Sequence, residues 1–181
     1  MKKSFTVALL CLLVCAFVFA SDHNINVQVS PYSYQHINLR IPAEYKSDYG
    51  WGLKAGYRFH YSEVGQVGAD FSFSDYKYNS DVSSRYLVYS LLVKVGTQIK
   101  ITKAMALDID FGAGAEIRNW KSITKVYPVL GSYIGLSYAV SPMVDLTAGT
   151  DLRVGWQDNN NSFYSSNDFD VICNLGARIN L

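Results

Sequence analysis

Residues 49–61 alternate strictly. Tyr49, Trp51, Leu53, Ala55, Tyr57, Phe59 and Tyr61 hold the odd positions, and Gly50, Gly52, Lys54, Gly56, Arg58 and His60 the even ones. A period of two belongs to an extended strand, whose successive side chains point to opposite faces, and no helical repeat fits it. The same division recurs over residues 67–74, 86–99, 105–116, 128–138, 144–156 and 169–181, with 25–34 as a weaker first segment. One face collects twelve of the thirteen glycines together with the segments' Asp, Glu, Lys and Arg. The other is dominated by Leu, Val, Ile, Phe, Tyr, Trp and Ala.

Eight segments of this length match the roughly 9 to 11 tilted residues that a membrane-spanning strand needs. They predict an all-β fold, an eight-stranded antiparallel up-and-down transmembrane β-barrel. Pro31 falls inside the first segment, where its missing N–H places it at a bulge or a strand end. The predicted connections alternate in length: 35–48, 75–85, 117–127 and 157–168 are long, whereas 62–66, 100–104 and 139–143 are short. Membrane barrels keep short turns in the periplasm and long loops outside, which makes both termini periplasmic and gives four extracellular loops.

Alternation alone leaves open a soluble calyx with the apolar face turned inward. Three features point to lipid instead. Glycine weakens a strand and has little reason to gather on a watery face, but a crowded lumen needs small positions so that long side chains can cross. The apolar set includes Trp51, Trp156, Phe59, Phe71, Phe73, Phe111 and Phe169, too much volume for the inside of eight strands. Along 49–61 aromatics flank Leu53 and Ala55, the order of an interfacial girdle.

Lys2 and Lys3, an apolar stretch over 7–19 and Ala20 before Ser21 read as a secretory signal peptide, residues 1–20, with residues 21–181 as the barrel domain. A lipoprotein reading would use Cys15, but the preceding Val14 is bulky for that processing. Cleavage after Ala20 removes Cys11 and Cys15 and leaves Cys173 without a disulfide partner. Loss of Lys2 and Lys3 takes 16 basic residues to 14 against 15 acidic ones, a net charge of −1. No concentrated basic face speaks for nucleic acid.

In this alternation, the connection lengths and the signal peptide, the chain resembles the small eight-stranded outer-membrane barrels of the OmpA transmembrane, OmpX and OmpW types. The resemblance covers nearly all of residues 24–181 and is architectural, so it implies a fold rather than an activity. It implies a monomer in the outer membrane, surrounded by outer-membrane lipid and inserted by the barrel-assembly machinery. That machinery usually reads a terminal aromatic, whereas this chain ends Ile179-Asn180-Leu181.

Lys54, Arg58, Lys94, Arg153 and Arg178 face inward with Asp70, Asp108, Asp110, Glu116, Asp145, Asp151 and Asp170. Buried charges must pair or neutralise, so these twelve predict a structural ionic network that plugs the lumen. A gated conductance through the network is the alternative reading. No cofactor, metal site or catalytic centre is expected, since His23 and His60 have no ligand company.

The expected role is structural or surface contact, with host or envelope macromolecules meeting the loops. Arg118, Trp120, Lys121 and Lys125, placed in the third loop, form a candidate anion contact, although such a cluster is as readily a solvated rim. Val88 and Leu92, inward on the fourth strand, bear on an OmpW-like conduit for small hydrophobic molecules. Since some barrels of this architecture modify lipid A with a His and a Ser or Asp at the outer rim, His36, Ser74 and Asp75 are the trio to test for that third reading.

Overall fold

The computed structural model describes residues 23–39, 44–78, 85–120, 123–156 and 166–181, with the strand ends beside the longer connections described by backbone alone. Eight strands follow in chain order: β1 (His23–Leu39), β2 (Glu44–His60), β3 (Gly65–Tyr78), β4 (Arg85–Lys100), β5 (Met105–Trp120), β6 (Ile123–Ser141), β7 (Val144–Trp156) and β8 (Ser166–Asn180). Each pairs antiparallel with the next, and β8 pairs back onto β1, closing a barrel. The last backbone bond of the ring runs from the Leu181 amide to the His23 carbonyl, at 2.8 Å. The chain is an eight-stranded up-and-down transmembrane β-barrel.

The barrel is staggered. A circuit of paired residues from Asn24 passes Arg58, Gly68, Lys94, Gly112, Gly131, Arg153 and Asp170, and returns to β1 at Gln35, eleven residues further along. One of the eleven is absorbed by the irregularity between Val29 and Tyr32, where Pro31 interrupts the register with both neighbouring strands. Pro31 therefore occupies a bulge, the position its missing N–H permits. A stagger of about ten residues over eight strands tilts them by roughly 40° and leaves an interior that side chains fill.

The apolar set faces outward. Val93 and Phe111 are each 62% exposed, while their neighbours Lys94 and Asp110 are 1% and 2% exposed. This decides against a calyx, because an unbroken apolar exterior is stable only in lipid. Aromatic girdles bound the band. Trp51, Phe73 and Tyr89 lie edge to edge at 5.6 and 5.3 Å near one end, and His23 stacks against Tyr57 and Phe59 near the other. Trp51 and Phe59 are eight residues apart on β2, about 20 Å of height at that tilt.

The two ends differ. Residues 61–64, 101–104 and 142–143 make tight turns at the end that also holds His23 and Leu181, with Tyr61 N bonded to Gly65 O at 3.1 Å and Ile101 N to Met105 O at 2.9 Å. At the far end the strands run well past the girdle, and residues 40–43, 79–84, 121–122 and 157–165 lie outside the described residues. The first and third of the expected long connections are thus largely strand, and parts of the second and fourth are. The third shrinks most, since β5 continues to Trp120 and β6 starts at Ile123. Above the bilayer, backbone pairing alone sustains a hairpin and no apolar face is required, so the alternation fades while the strand goes on.

Candidate functional site: the lumen

Inward positions come from even residues of β2, β3, β4, β5 and β8 and odd residues of β6 and β7. The stagger decides which of them meet. Asp151 on β7 is a hub: Lys54 Nζ from β2 donates to its Oδ2 at 2.7 Å, Lys94 Nζ from β4 to its Oδ1 at 2.7 Å, and Asn174 Nδ2 from β8 to its Oδ2 at 2.8 Å. Lys94 also reaches Asp70 Oδ2 on β3 at 2.8 Å. Asp70 in turn accepts two bonds from the Arg58 guanidinium, at 2.6 and 3.0 Å, the forked geometry that a planar guanidinium makes with a carboxylate. Arg58 donates further to Asp110 Oδ2 at 3.2 Å, and Gln66 Nε2 completes that carboxylate at 2.7 Å.

Nearer the turn end, Arg178 donates to Asp108 Oδ2 at 2.7 Å and to Asn26 Oδ1 at 3.2 Å, and Gln98 Nε2 donates to Asp108 Oδ1 at 3.0 Å. Asp145, 3.9 Å from Arg178, is the least buried of the group and marks the lower mouth. Gln28 Nε2 on β1 donates to Thr147 Oγ1 at 2.9 Å and to the Tyr133 hydroxyl at 3.3 Å. A residual cavity of about 10 Å³, lined by Asn26, Gln28, Lys54, Arg58, Asp70, Asp110, Tyr133 and Arg178, remains within this half. That is room for about one water molecule.

The loop half of the lumen is built differently. Val88, Leu92, Val129 and Ile172 turn inward there, each at most 2% exposed, alongside Tyr76 and Tyr86. Glu116 holds Arg118 at 2.7 Å, and Arg153 approaches Glu116 at 3.6 Å while donating to the Ser90 hydroxyl. Asp170 is 1% exposed, and neither of its oxygens makes a hydrogen bond. Ser33 Oγ and Arg153 Nε are likewise buried without an acceptor or donor. Each such atom carries a desolvation cost; in the lower network the unbonded atoms are the amide oxygens of Gln28 and Gln66 rather than those of a carboxylate.

The structure brings Lys54, Arg58, Asp70, Lys94, Asp110 and Asp151 into one connected set and places Arg178, Asp108 and Asp145 in a second below it. Glu116 and Arg153 form a third, with Asp170 directly opposite Arg153 in the β7–β8 register. Neutral members of the network, Gln28, Gln66, Asn174 and Tyr133, escape a search for charge. Their inward parity was the available signal.

Arg118 corrects the rim reading. Because β5 and β6 stay paired to their tips, Arg118 and Lys125 are register partners on the lumen side, and Arg118 is 3% exposed with its guanidinium 4.8 Å from the Tyr127 ring. It is not a surface anion contact. The Trp120 side chain and Lys121 lie outside the described residues. The trio of His36, Ser74 and Asp75 does not converge either: Ser74 is buried on the lumen face, while Asp75 is its chain neighbour on the opposite face, paired with Trp51. The side chain of His36 lies outside the described residues. His60 faces Asn24 Nδ2 at 2.9 Å inside the lower mouth, and His23 bonds the Tyr57 hydroxyl on the outer surface.

Fold and lumen together define a small transmembrane barrel lined by paired charges. No protein-family model matches the chain, and no curated protein matches it in sequence. Among solved structures the barrel is similar to Neisserial surface protein A, at 15% identity and a TM-score of 0.64 over 87% of this chain and 96% of that one. It is also similar to the outer membrane protein OprG from Pseudomonas aeruginosa, at 10% identity and 0.58 over 90% and 96%. A third likeness is to Ail, the attachment invasion locus protein of Yersinia pestis, at 15% identity and 0.53 over 86% and 98%, in a complex with the heparin analogue sucrose octasulfate. At these identities the likeness is one of fold.

Proposed function

We propose that the chain is a monomeric outer-membrane protein whose lumen is plugged by its own side chains and whose role is structural or one of surface contact through the four loops. Residues 1–20 act as a signal peptide, the barrel-assembly machinery inserts residues 21–181, and outer-membrane lipid surrounds the apolar band. Both termini and the tight turns face the periplasm. The observation that carries this reading is the continuous set of ion pairs from Lys54 through Asp151, Lys94 and Asp70 to Arg58 and Asp110, which crosses the interior and leaves a gap of about 10 Å³. Hydrated ions need a continuous watery path, and a water-sized gap walled by paired charges does not supply one.

The partner class remains host or envelope macromolecules, a reading that the surface proteins among the structural neighbours support by analogy of fold alone. A second reading, a conduit for small hydrophobic molecules, draws on Val88, Leu92, Val129 and Ile172 in the loop half. The same experiment separates the two. Purified protein, folded as judged by heat-modifiable gel migration and placed in planar bilayers, is expected to show no steady conductance, and vesicles carrying it no faster uptake of a fluorescent fatty acid. Steady ion current would overturn the plug, and faster uptake would favour the conduit.

A further inference from the structure

Tyr133 is 5% exposed and stands in the middle of the lumen, on β6. The wall is cut away to receive it. Gly135 and Gly149 are direct partners across β6 and β7. A Cβ on Gly135 would fall 2.5 Å from the ring's Cζ and 2.8 Å from its Cε1, and one on Gly149 would fall 2.7 Å from Cε2. No methyl group fits at those distances, so the ring occupies space that only a pair of glycines leaves open.

Two ammonium groups meet this ring. Lys54 Nζ lies 4.2 Å from its centroid and Lys94 Nζ 5.4 Å, both inside the range in which a cation is attracted to an aromatic face. These are the same two groups that share the carboxylate of Asp151, one on each oxygen. Two like charges held on one carboxylate repel each other. Lys94 has Asp70 as a second carboxylate at 2.8 Å, whereas Lys54 pairs with Asp151 alone among the described residues, and the ring, nearer to Lys54, offers it negative potential there. Tyr133 also lines the residual cavity, so the space its ring fills adjoins a gap in the plug.

We infer that Tyr133 is a positioning residue: seated in the Gly135–Gly149 recess, its ring holds Lys54 and Lys94 on Asp151 and so keeps the lumen shut. Without an aromatic face there, the emptied recess joins the existing cavity, water enters, and the lysines gain a hydrated alternative to their shared carboxylate. The hydroxyl is secondary, because its bond with Gln28 is long at 3.3 Å and Gln28 has Thr147 as a closer acceptor.

This inference rests on the plugged-lumen reading, and the test keeps the two apart. Wild type, Tyr133→Phe and Tyr133→Leu are compared in planar bilayers after heat-modifiable migration has shown each to be folded. Wild type and Tyr133→Phe are expected to stay closed, while Tyr133→Leu, apolar but smaller and without a π face, shows discrete openings. Openings in wild type would sink the plug itself. A closed Tyr133→Leu, or a Tyr133→Phe that opens as readily, would overturn the role given to the ring while leaving the plug standing. Should Tyr133→Leu fail to fold, Gly135→Ala asks the same question, since the three atoms nearest its new methyl, the hydroxyl oxygen and two ring carbons, all belong to Tyr133. That variant is expected to expel the ring and open, and a folded, closed Gly135→Ala overturns the inference.

Discussion

The two halves of the lumen solve the same problem in different ways. Toward the tight turns, Asp70, Asp108, Asp110 and Asp151 each have donors on both oxygens, many of them from strands across the barrel, and only Asp145 at the mouth stands off, 3.9 Å from Arg178 among the described residues. Toward the loops, aliphatic side chains share the space with Glu116, Arg153 and an Asp170 that bonds to nothing. Cross-barrel ion pairs in the lower half oppose any widening, because separating one pair strands two buried charges. The upper half is held by packing, which tolerates rearrangement at a lower cost. Strength therefore sits low, and adjustability sits beneath the loops.

Removing the hub should break the lower half outright. Asp151→Ala leaves Lys54 without its carboxylate and Lys94 with only Asp70, and a stranded buried charge costs about 3–5 kcal/mol. Urea unfolding in detergent micelles or vesicles, followed by the heat-modifiable band, is expected to show that loss. In the upper half the largest effect should come from an apolar residue. Leu92→Ala removes a fully buried side chain whose Cδ2 lies in the notch of Gly131, at a cost of about 2–4 kcal/mol by the same assay. The smallest effect should fall on a charge: Asp170→Asn exchanges an unbonded carboxylate for a neutral amide and is expected to change stability by less than about 1 kcal/mol, or to raise it. An Asp170→Asn as costly as Asp151→Ala would erase the distinction between the halves.

Much of this barrel was legible from parity. The outward set of Leu53, Val93, Phe111 and Leu152 and the inward set of Lys54, Lys94, Asp110 and Arg153 follow from a period of two, which backbone geometry imposes on any paired strand. Strand ends were legible only where lipid demands an apolar face. Once β5 rises past the girdle its sequence is free to turn polar, and Arg118, read by its basic neighbours as loop, stayed in register with Lys125 on the lumen side. Pairings inside the lumen were not legible at all. Lys54 and Asp151 are separated by 97 positions, and they meet because the stagger and the radius bring β2 and β7 to one height, quantities that no single strand encodes. Tyr133 was hidden for a related reason, since its seat is made of two residues defined by what they lack.

The bond from Leu181 to His23 ties the stretch after β8 to the start of β1, the first strand made, and this orders events in time. β1 has one neighbour in β2 and must wait for β8 to supply the other, so until β8 is made the nascent sheet carries two open edges able to pair with foreign strands. Contacts that span the whole chain are the slowest to form. A cell making this protein must therefore shelter an unfinished ribbon until β8 arrives, and the sealed cylinder exists only once all eight strands are made.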